Sequence, residues 1–213
     1  VPKCMLDVQD VSMLHRALST FKELNVDKTV VVGGYKSDKL ELPVGTELVL
    51  NDQYIHNNIL HSLAYARQAI ADQKTVLISY SDIIFRQTVV KQLLSEDQNE
   101  ISIVVDQAWG ERYAGRTMHP LAEAEAVQFD HNGRLLRAGK NILTPQHDPQ
   151  QFGEFIGMMK MSRAGYSRFW DLFDEINSSL DEEAPFQQAA SWRRAYLTDL
   201  LQEMVDRDLE VNC

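Results

Sequence analysis

Four short apolar, β-branched runs, "TVVVGG", "TELVLN", "TVLISY" and "ISIVVD", recur between Thr29 and Asp106 of this 213-residue chain and constrain its fold more than any other feature. Runs without polar alternation read as strands covered on both faces, the situation of a parallel sheet. Stretches with helical spacing of apolar residues lie around them. Val11 to Leu24 places Val11, Leu14, Leu18 and Phe21 on one side, with Asp10 available as N-cap; Asn57 to about Asp72 and Arg86 to Leu94 repeat the pattern. Such alternation predicts right-handed βαβ crossovers, hence an α/β fold with a mostly parallel central sheet and helices on both faces.

Beyond Trp109 the character changes. "AEAVQFDHNGRLLRAG" holds two extended stretches about Asn132-Gly133, a pair that favours a hairpin turn and predicts a small β-hairpin subdomain. "EFIGMMKMS" reads as a further strand. Two helices are predicted, Tyr166 to Ser178 and Gln187 to Asp206, the second with Trp192, Tyr196, Leu200, Met204 and Val205 on one side. The closing "LEVNC" resembles the start of a strand, and both ends of the sequence read as cut through structure rather than as flexible tails.

With 44% hydrophobic residues the chain suffices for one core, so a single domain over 1–213 is expected. Its two cysteines, Cys4 and Cys213, form no CxxC or Cys/His spacing, which gives neither a disulfide framework nor a zinc site. Neither a long apolar run nor a basic-then-apolar leader occurs, and a cytoplasmic, non-membrane setting is the expectation. The formal net charge of -10 argues against nucleic acid as a partner. A phosphorylated small molecule remains open if local cations, a metal ion or backbone amides offset the field.

Several residues could carry chemistry. Asp82 follows "TVLISY" directly, at the carboxyl edge of a buried strand where open α/β folds bind ligands, and it suits a divalent metal as well as it suits a helix cap. Asp106 occupies a comparable strand end and reads as structural. Asn57 and Asn58 either cap a helix or present amides to a polar ligand, and Ser62 lies one turn along. Glu154 is a charge within an apolar strand, facing a cleft or an edge, with Gly157 on the same strand; Lys140 follows Gly139 at the hairpin's end. Tyr113, Arg116 and His119 belong to a pocket or cover the sheet. No GxSxG, Walker or GxGxxG motif is present.

The fragments "PKCMLDV", "VVVGGYKSDKL", "NDQYIHNNILHSL", "ISYSDIIF", "GRTMHPLAEAE", "GRLLRAGKNI" and "GEFIGMMKMS", in this order, resemble the nucleotidyltransferase superfamily, specifically its phosphocholine and phosphonate cytidylyltransferase branch. The resemblance implies a Rossmann-like three-layer fold and transfer of CMP from CTP to a phosphocholine, aminoethylphosphonate or hydroxyethylphosphonate type of acceptor. It also implies fusion to, or association with, a phosphoenolpyruvate mutase domain. By the same resemblance Lys3 contacts phosphate, Asp82 binds Mg²⁺, Asn57, Asn58 and Ser62 lie near nucleotide and acceptor, and Lys140, Glu154 and Gly157 line the acceptor side. In the family a glycine-rich, arginine-bearing loop precedes the Pro-Lys pair and an acidic metal segment follows the final strand; neither stands in this sequence. A sugar-1-phosphate nucleotidyltransferase, or a non-catalytic binding module without its phosphate loop, is the alternative.

Overall fold

The computed structural model describes residues 1–113, 115–116, 120–142 and 149–213. In chain order the elements are β1 (Asp7–Val8), β2 (Val11–Ser12), α1 (Met13–Glu23), β3 (Thr29–Gly33), β4 (Thr46–Leu50), α2 (Ile59–Ala64), α3 (Arg67–Ile70), β5 (Thr75–Ser79) and α4 (Gln87–Ser95). They continue as β6 (Ile101–Asp106), α5 (Trp109–Tyr113), β7 (Ala126–Phe129), β8 (Leu135–Gly139), β9 (Phe152–Ser162), α6 (Arg163–Ser179) and α7 (Leu197–Asp206). No described helix is long and apolar enough to cross a membrane.

β3 and β4 pair in parallel, from Thr29 opposite Thr46 to Gly33 opposite Leu50. β9 is the spine of a five-stranded sheet and runs antiparallel to β5, β6 and β7, with β8 completing the hairpin. Since β5 and β6 are both antiparallel to β9 they share one direction, as a crossover through α4 requires. The mixed α/β architecture is therefore the expected one. Its sheet is less parallel than the alternation predicts, because β9 arrives from a hairpin instead of a crossover helix and inserts between β5 and β6.

Side chains alternate between the two faces with the period of two that a strand imposes. Val76, Ile78, Ile101, Ile103, Met159 and Met161 face the large core shared with α6 and α7. Leu77, Val104, Ile156 and Met158 face a smaller core closed by Ala17 and Phe21 of α1 and Val90 and Leu93 of α4. Both faces are thus covered by helices.

Local details depart from the sequence expectations for physical reasons. Ser12, not Asp10, caps α1: its Oγ accepts the His15 N–H at 3.1 Å. Asp10 and Gln9 lie at φ +62° and +52° in the turn joining β1 to β2, where short polar side chains tolerate the left-handed region. The hairpin forms where expected, with Asp130 Oδ1 accepting the N–H groups of Asn132 and Arg134 at 2.8 and 2.9 Å and Gly133 at φ +83°. The last helix begins at Leu197 rather than Gln187, because Asp199 Oδ2 accepts the Tyr196 N–H at 2.7 Å while its Oδ1 accepts that of Gln188 at 3.1 Å, tying the preceding segment into irregular structure. At the far end, the Ile103 N–H donates to Asn212 O and the Cys213 N–H to Gly133 O, so "LEVNC" does start to pair between β6 and the hairpin.

Trp192 reaches the core from that irregular segment. Fully buried, its ring lies 4.7 Å from His61, 5.2 Å from Phe173 and 4.8 Å from Phe186, and Nε1 donates to Asn177 Oδ1 at 2.9 Å. Truncation leaves a large cavity and an orphaned amide oxygen; Trp192→Ala is expected to cost about 3–5 kcal/mol in urea unfolding. Burial holds the His61 imidazole below its ordinary pKa, against the opposing pull of the Trp192 carbonyl, to which its Nε2 bonds at 2.9 Å. As pH falls through the ordinary histidine range the unfolded chain takes up this proton and the folded chain does not, so stability falls with pH. Melting temperatures of the native chain and His61→Gln from pH 7.5 to 5.5 should show the native chain's lead shrinking toward low pH.

Candidate active site

β5 ends at Ser79, and the next three residues carry the centre of the site. The Tyr80 N–H still donates to Gly157 O at 2.8 Å, continuing the pairing with β9 by one residue. Two positions on, Asp82 leaves the sheet at its carboxyl edge and receives Lys3: Nζ lies 2.7 Å from Asp82 Oδ2. Lys3 is far more exposed than its partner, with side-chain exposures of 74% and 31%, so the ammonium can leave the carboxylate for a ligand. Lys3 is brought there by the short 3₁₀ turn Lys3–Met5, which Cys4 anchors by packing on Leu14 and Leu18 of α1 and Val31 of β3.

Tyr80 connects this pair to the hairpin side. Its ring rests where a Cβ on Gly157 would stand, and Gly157 sits at φ +78°, so the glycine is required both for its backbone and for this ring. The Tyr80 hydroxyl donates to Glu125 Oε2 at 3.3 Å, and Thr198 Oγ1 donates to Glu125 Oε1 at 3.2 Å. Burial raises the Glu125 carboxyl above its usual range, although both hydroxyls oppose the shift. Burial likewise drives the Tyr80 phenol well up, helped by the negative charges of Glu125 and Asp82.

Glu154, on β9, accepts a hydrogen bond from the Tyr113 hydroxyl, and burial together with this carboxylate raises the Tyr113 phenol. The Arg116 guanidinium stands 4.7 Å from the Tyr113 ring centre, while His119 lies outside the described residues. Lys140 Nζ contacts Glu123 Oε2 at 3.3 Å and the Tyr196 ring face at 4.5 Å. Burial pulls the Lys140 ammonium down, but Glu123 and Tyr196 outweigh it and hold the pKa above its ordinary value.

Asn57, Asn58 and Ser62 form a separate group, and the residue that organises them is Asn51, a buried amide directly after β4. Asn51 Nδ2 donates to Asn57 Oδ1 at 2.9 Å and Ser62 Oγ at 3.0 Å, and Asn57 Nδ2 donates back to Asn51 Oδ1 at 3.2 Å. Asn58 caps α2: Oδ1 accepts the Ile59 N–H at 2.9 Å and Nδ2 donates to Arg194 O at 3.0 Å. These side chains thus have protein partners and fix the loop at the end of β4. Asp106 has the structural role read from the sequence, accepting the Ala108 N–H at 3.0 Å and pairing with Arg112 Nε at 2.7 Å.

Sequence reading missed Tyr80, Glu125 and Asn51. The first hides in the strand run, but Glu125 in "AEAEAV" and Asn51 ending "TELVLN" are polar residues beside buried strands, which burial should have flagged. Among the described residues no three His, Cys, Asp or Glu side chains cluster as a metal cage. A lone, partly exposed carboxylate is a hard oxygen donor, and it fits a divalent cation whose remaining ligands are substrate phosphate and water.

Comparison with known proteins gives this geometry a context. A CTP:phosphoglutamine cytidylyltransferase of Campylobacter jejuni is 25% identical over 214 residues, an alignment covering 97% of this chain and 81% of the relative. The inositol-1-phosphate CTP transferase of T. maritima superposes with a TM-score of 0.71 at 17% identity, covering 100% of this chain and 76% of that one. The CTP:phosphocholine cytidylyltransferase of Streptococcus pneumoniae superposes at 0.61 with 14% identity, covering 100% and 79%. At such identities the two structures speak for the fold. The MobA-like NTP transferase domain matches residues 1–204, nearly the whole chain, and the protein belongs to that family of nucleotidyltransferases.

Proposed function

We propose that this chain forms the body of a cytidylyltransferase that moves CMP from CTP to a small phosphate- or phosphonate-bearing acceptor and releases pyrophosphate. The observation that carries the reading is the Lys3–Asp82 pair at the carboxyl end of β5, in a chain of the NTP transferase family whose curated relative acts with CTP. An acceptor phosphate is largely ionised near neutral pH, so its oxygen can attack the α-phosphorus without a general base. The new oxygen–phosphorus bond forms as the bond to the β-phosphate oxygen breaks, and pyrophosphate leaves with that electron pair. What the protein must supply is alignment and positive charge.

Lys3 suits the second task. Its exposed ammonium can turn from Asp82 to a phosphate oxygen, and Asp82 is the residue that would hold Mg²⁺. Held there, Mg²⁺ would supply positive charge against the charge that builds on the phosphates. Tyr80, pinned between Gly157 and Glu125, keeps the residues after β5 in place. Asn57, Asn58 and Ser62 act by fixing the loop after β4 on the nucleotide side, and Lys140 and Glu154 line the acceptor side.

The test is a pyrophosphate-release assay with CTP on the chain as its whole reading frame encodes it, against phosphocholine, 2-aminoethylphosphonate, 2-hydroxyethylphosphonate and a hexose 1-phosphate. Turnover with one of the first three is the expected result; turnover with the hexose phosphate alone assigns the sugar-nucleotide alternative, and binding without turnover the non-catalytic one. Titration with Mg²⁺ should show that Asp82→Asn lowers metal-dependent kcat by about 100-fold or more, the scale of losing a group that stabilises transition-state charge. Unchanged turnover in that variant removes Asp82 from the mechanism. Lys3→Gln should reduce kcat/KM for CTP by roughly 10–100-fold, in line with loss of one charge-assisted phosphate contact.

A further inference from the structure

Between α6 and α7 the chain runs from Leu180 to Tyr196 with no helix or named strand beyond the single 3₁₀ turn Trp192–Arg194. Hydrogen bonds nonetheless stiffen it. Its two arms close on each other, the Trp192 N–H donating to Ala184 O at 2.8 Å, the Arg193 N–H to Glu182 O at 3.0 Å and the Ala189 N–H to Phe186 O at 2.9 Å. The Arg193 guanidinium adds ion pairs to Glu183 at 2.6 Å and Glu182 at 3.2 Å. Trp192 and Ala195, both fully buried, fasten the segment to the core. A loop held at this many points transmits position as a regular element does.

Three parts of the site that are distant in sequence meet this one segment. Arg194 takes the loop after β4: Nη2 donates to Ile55 O at 2.8 Å and Nη1, more loosely, to Asn57 O at 3.4 Å. Main chain completes the grip, with Arg193 O accepting the Asn58 N–H at 3.1 Å and Arg194 O accepting Asn58 Nδ2 at 3.0 Å. Gln188 takes the turn after β8. Its Oε1 accepts the Lys140 N–H at 2.6 Å and its Nε2 donates to Lys140 O at 2.9 Å, the pair of bonds a neighbouring strand makes. Gly139 permits this approach, since it lies at φ +145° and a Cβ there would stand 2.6 Å from Gln188 Oε1. Thr198, just inside α7, takes Glu125, the carboxylate that also receives the Tyr80 hydroxyl two residues before Asp82. Asp199 ties the arms together through the N–H groups of Gln188 and Tyr196.

A surface arginine is ordinarily hydrated or paired with a carboxylate, and fixing it costs rotamer entropy. Arg194 is exposed, yet it directs its fork at main-chain carbonyls, one of them 139 residues away. Gln188, also exposed, gives both atoms of its amide to the backbone of one residue. Both grip backbone, which leaves the side chains of Asn57 and Lys140 to other partners. We propose that Arg194 and Gln188 are positioning residues for nucleotidyl transfer, holding the loop after β4 and the Lys140 turn at fixed places relative to the end of β5. The inference rests on the cytidylyl-transfer reading, in which the loop lies on the nucleotide side and Lys140 on the acceptor side. In-line attack needs both substrates aligned, and a misplacement of about 1 Å can cost about 100-fold in rate. Loosening one grip therefore misaligns one substrate and leaves the place of the other standing.

Hydrogen–deuterium exchange and steady-state kinetics on the chain as its whole reading frame encodes it provide the test. In Arg194→Ala the amides of Gln53, His56, Asn57 and Asn58 are expected to exchange about tenfold faster, while Met159 and Met161 in β9 stay within about twofold of the native chain. In Gln188→Ala the Lys140 amide should speed up by the same factor. Kinetically, Arg194→Ala should raise KM for CTP about tenfold and leave KM for the acceptor within about twofold, the acceptor being whichever compound of the pyrophosphate-release assay is turned over; Gln188→Ala should do the reverse. A general loss of stability does not give that crossed pattern. Arg194→Lys keeps the charge but lacks a planar fork, so it should recover less than about half of the lost CTP affinity. Full recovery in Arg194→Lys, unchanged exchange in the two alanine variants, or equal shifts of both KM values overturns the proposal. Should Arg194→Ala fail to fold, Arg194→Lys and Gln188→Ala carry the same comparisons. Exchange reads the grip without turnover: faster amides in a chain that leaves CTP untouched sink the transferase reading, whereas unchanged amides in an active enzyme sink the positioning roles alone.

Discussion

The five-stranded sheet is hung on β9. Its 11 residues pair with β5 and β6 along one half and with β7 and β6 along the other, so one strand fixes the relative positions of three. Its side chains feed both cores, with Met159 and Met161 on one face and Met158 on the other, each fully buried. A thioether chain is flexible and polarizable, and it fills gaps between elements that arrive at different angles. Between the two halves lies Gly157, at a φ that β-branched residues do not adopt, and the register of β5 stops beside it. The same residue that interrupts the pairing makes room for the ring of Tyr80, so the point where the sheet relaxes is the point where the site begins.

Electrostatics set a second constraint. A chain of net charge -10 that handles a triphosphate and an anionic acceptor works against its own field. The structure deepens this problem locally, since Asp82 and Glu125 both lie beside Tyr80 at the end of β5 and Lys3 is occupied by Asp82. Part of the negative charge is muted: burial raises the Glu125 carboxyl, and Tyr80 and Thr198 hydroxyls satisfy its oxygens. The rest has to be balanced by something the substrate brings. The Lys3–Asp82 pair is open to solvent on the lysine side, and an exposed pair of this kind costs little to exchange for another anion.

Much of the fold was legible in the sequence because its signals were local. Buried strand runs, helical spacing and an Asn-Gly turn each depend on a few neighbouring residues, and β3 to β6, α1, α4 and the β7–β8 hairpin all appear within a few residues of where those signals put them. The pairing partner of β9 was not legible, since an apolar run on two faces fits a parallel or an antiparallel position equally. Nor was the segment from Gln187 to Tyr196, where Trp192 mimics a helical spacing but is held by contacts to Phe173, Phe186 and His61, distant in sequence. For the site the same division holds. Asp82 was offered by its strand end, as a metal ligand or a cap, and Lys3 only by the family resemblance of the Pro-Lys pair; their contact appears only in three dimensions. Glu125 was not, because its importance comes from Tyr80 and Thr198, 45 residues before it and 73 after.

Tyr80 shows how the sheet and the chemistry depend on each other. Its backbone is still part of the pairing with β9, its ring is seated against Gly157, and its hydroxyl holds Glu125. Any displacement of β5 toward β3 therefore moves the carboxylate cluster and, two residues on, Asp82. Among the described residues β5 pairs with β9 alone, so that pairing sets its position in the sheet. The position of Asp82 is therefore tied through Tyr80 to the register of β5 on β9, so order in the sheet and order at the Lys3–Asp82 pair are coupled.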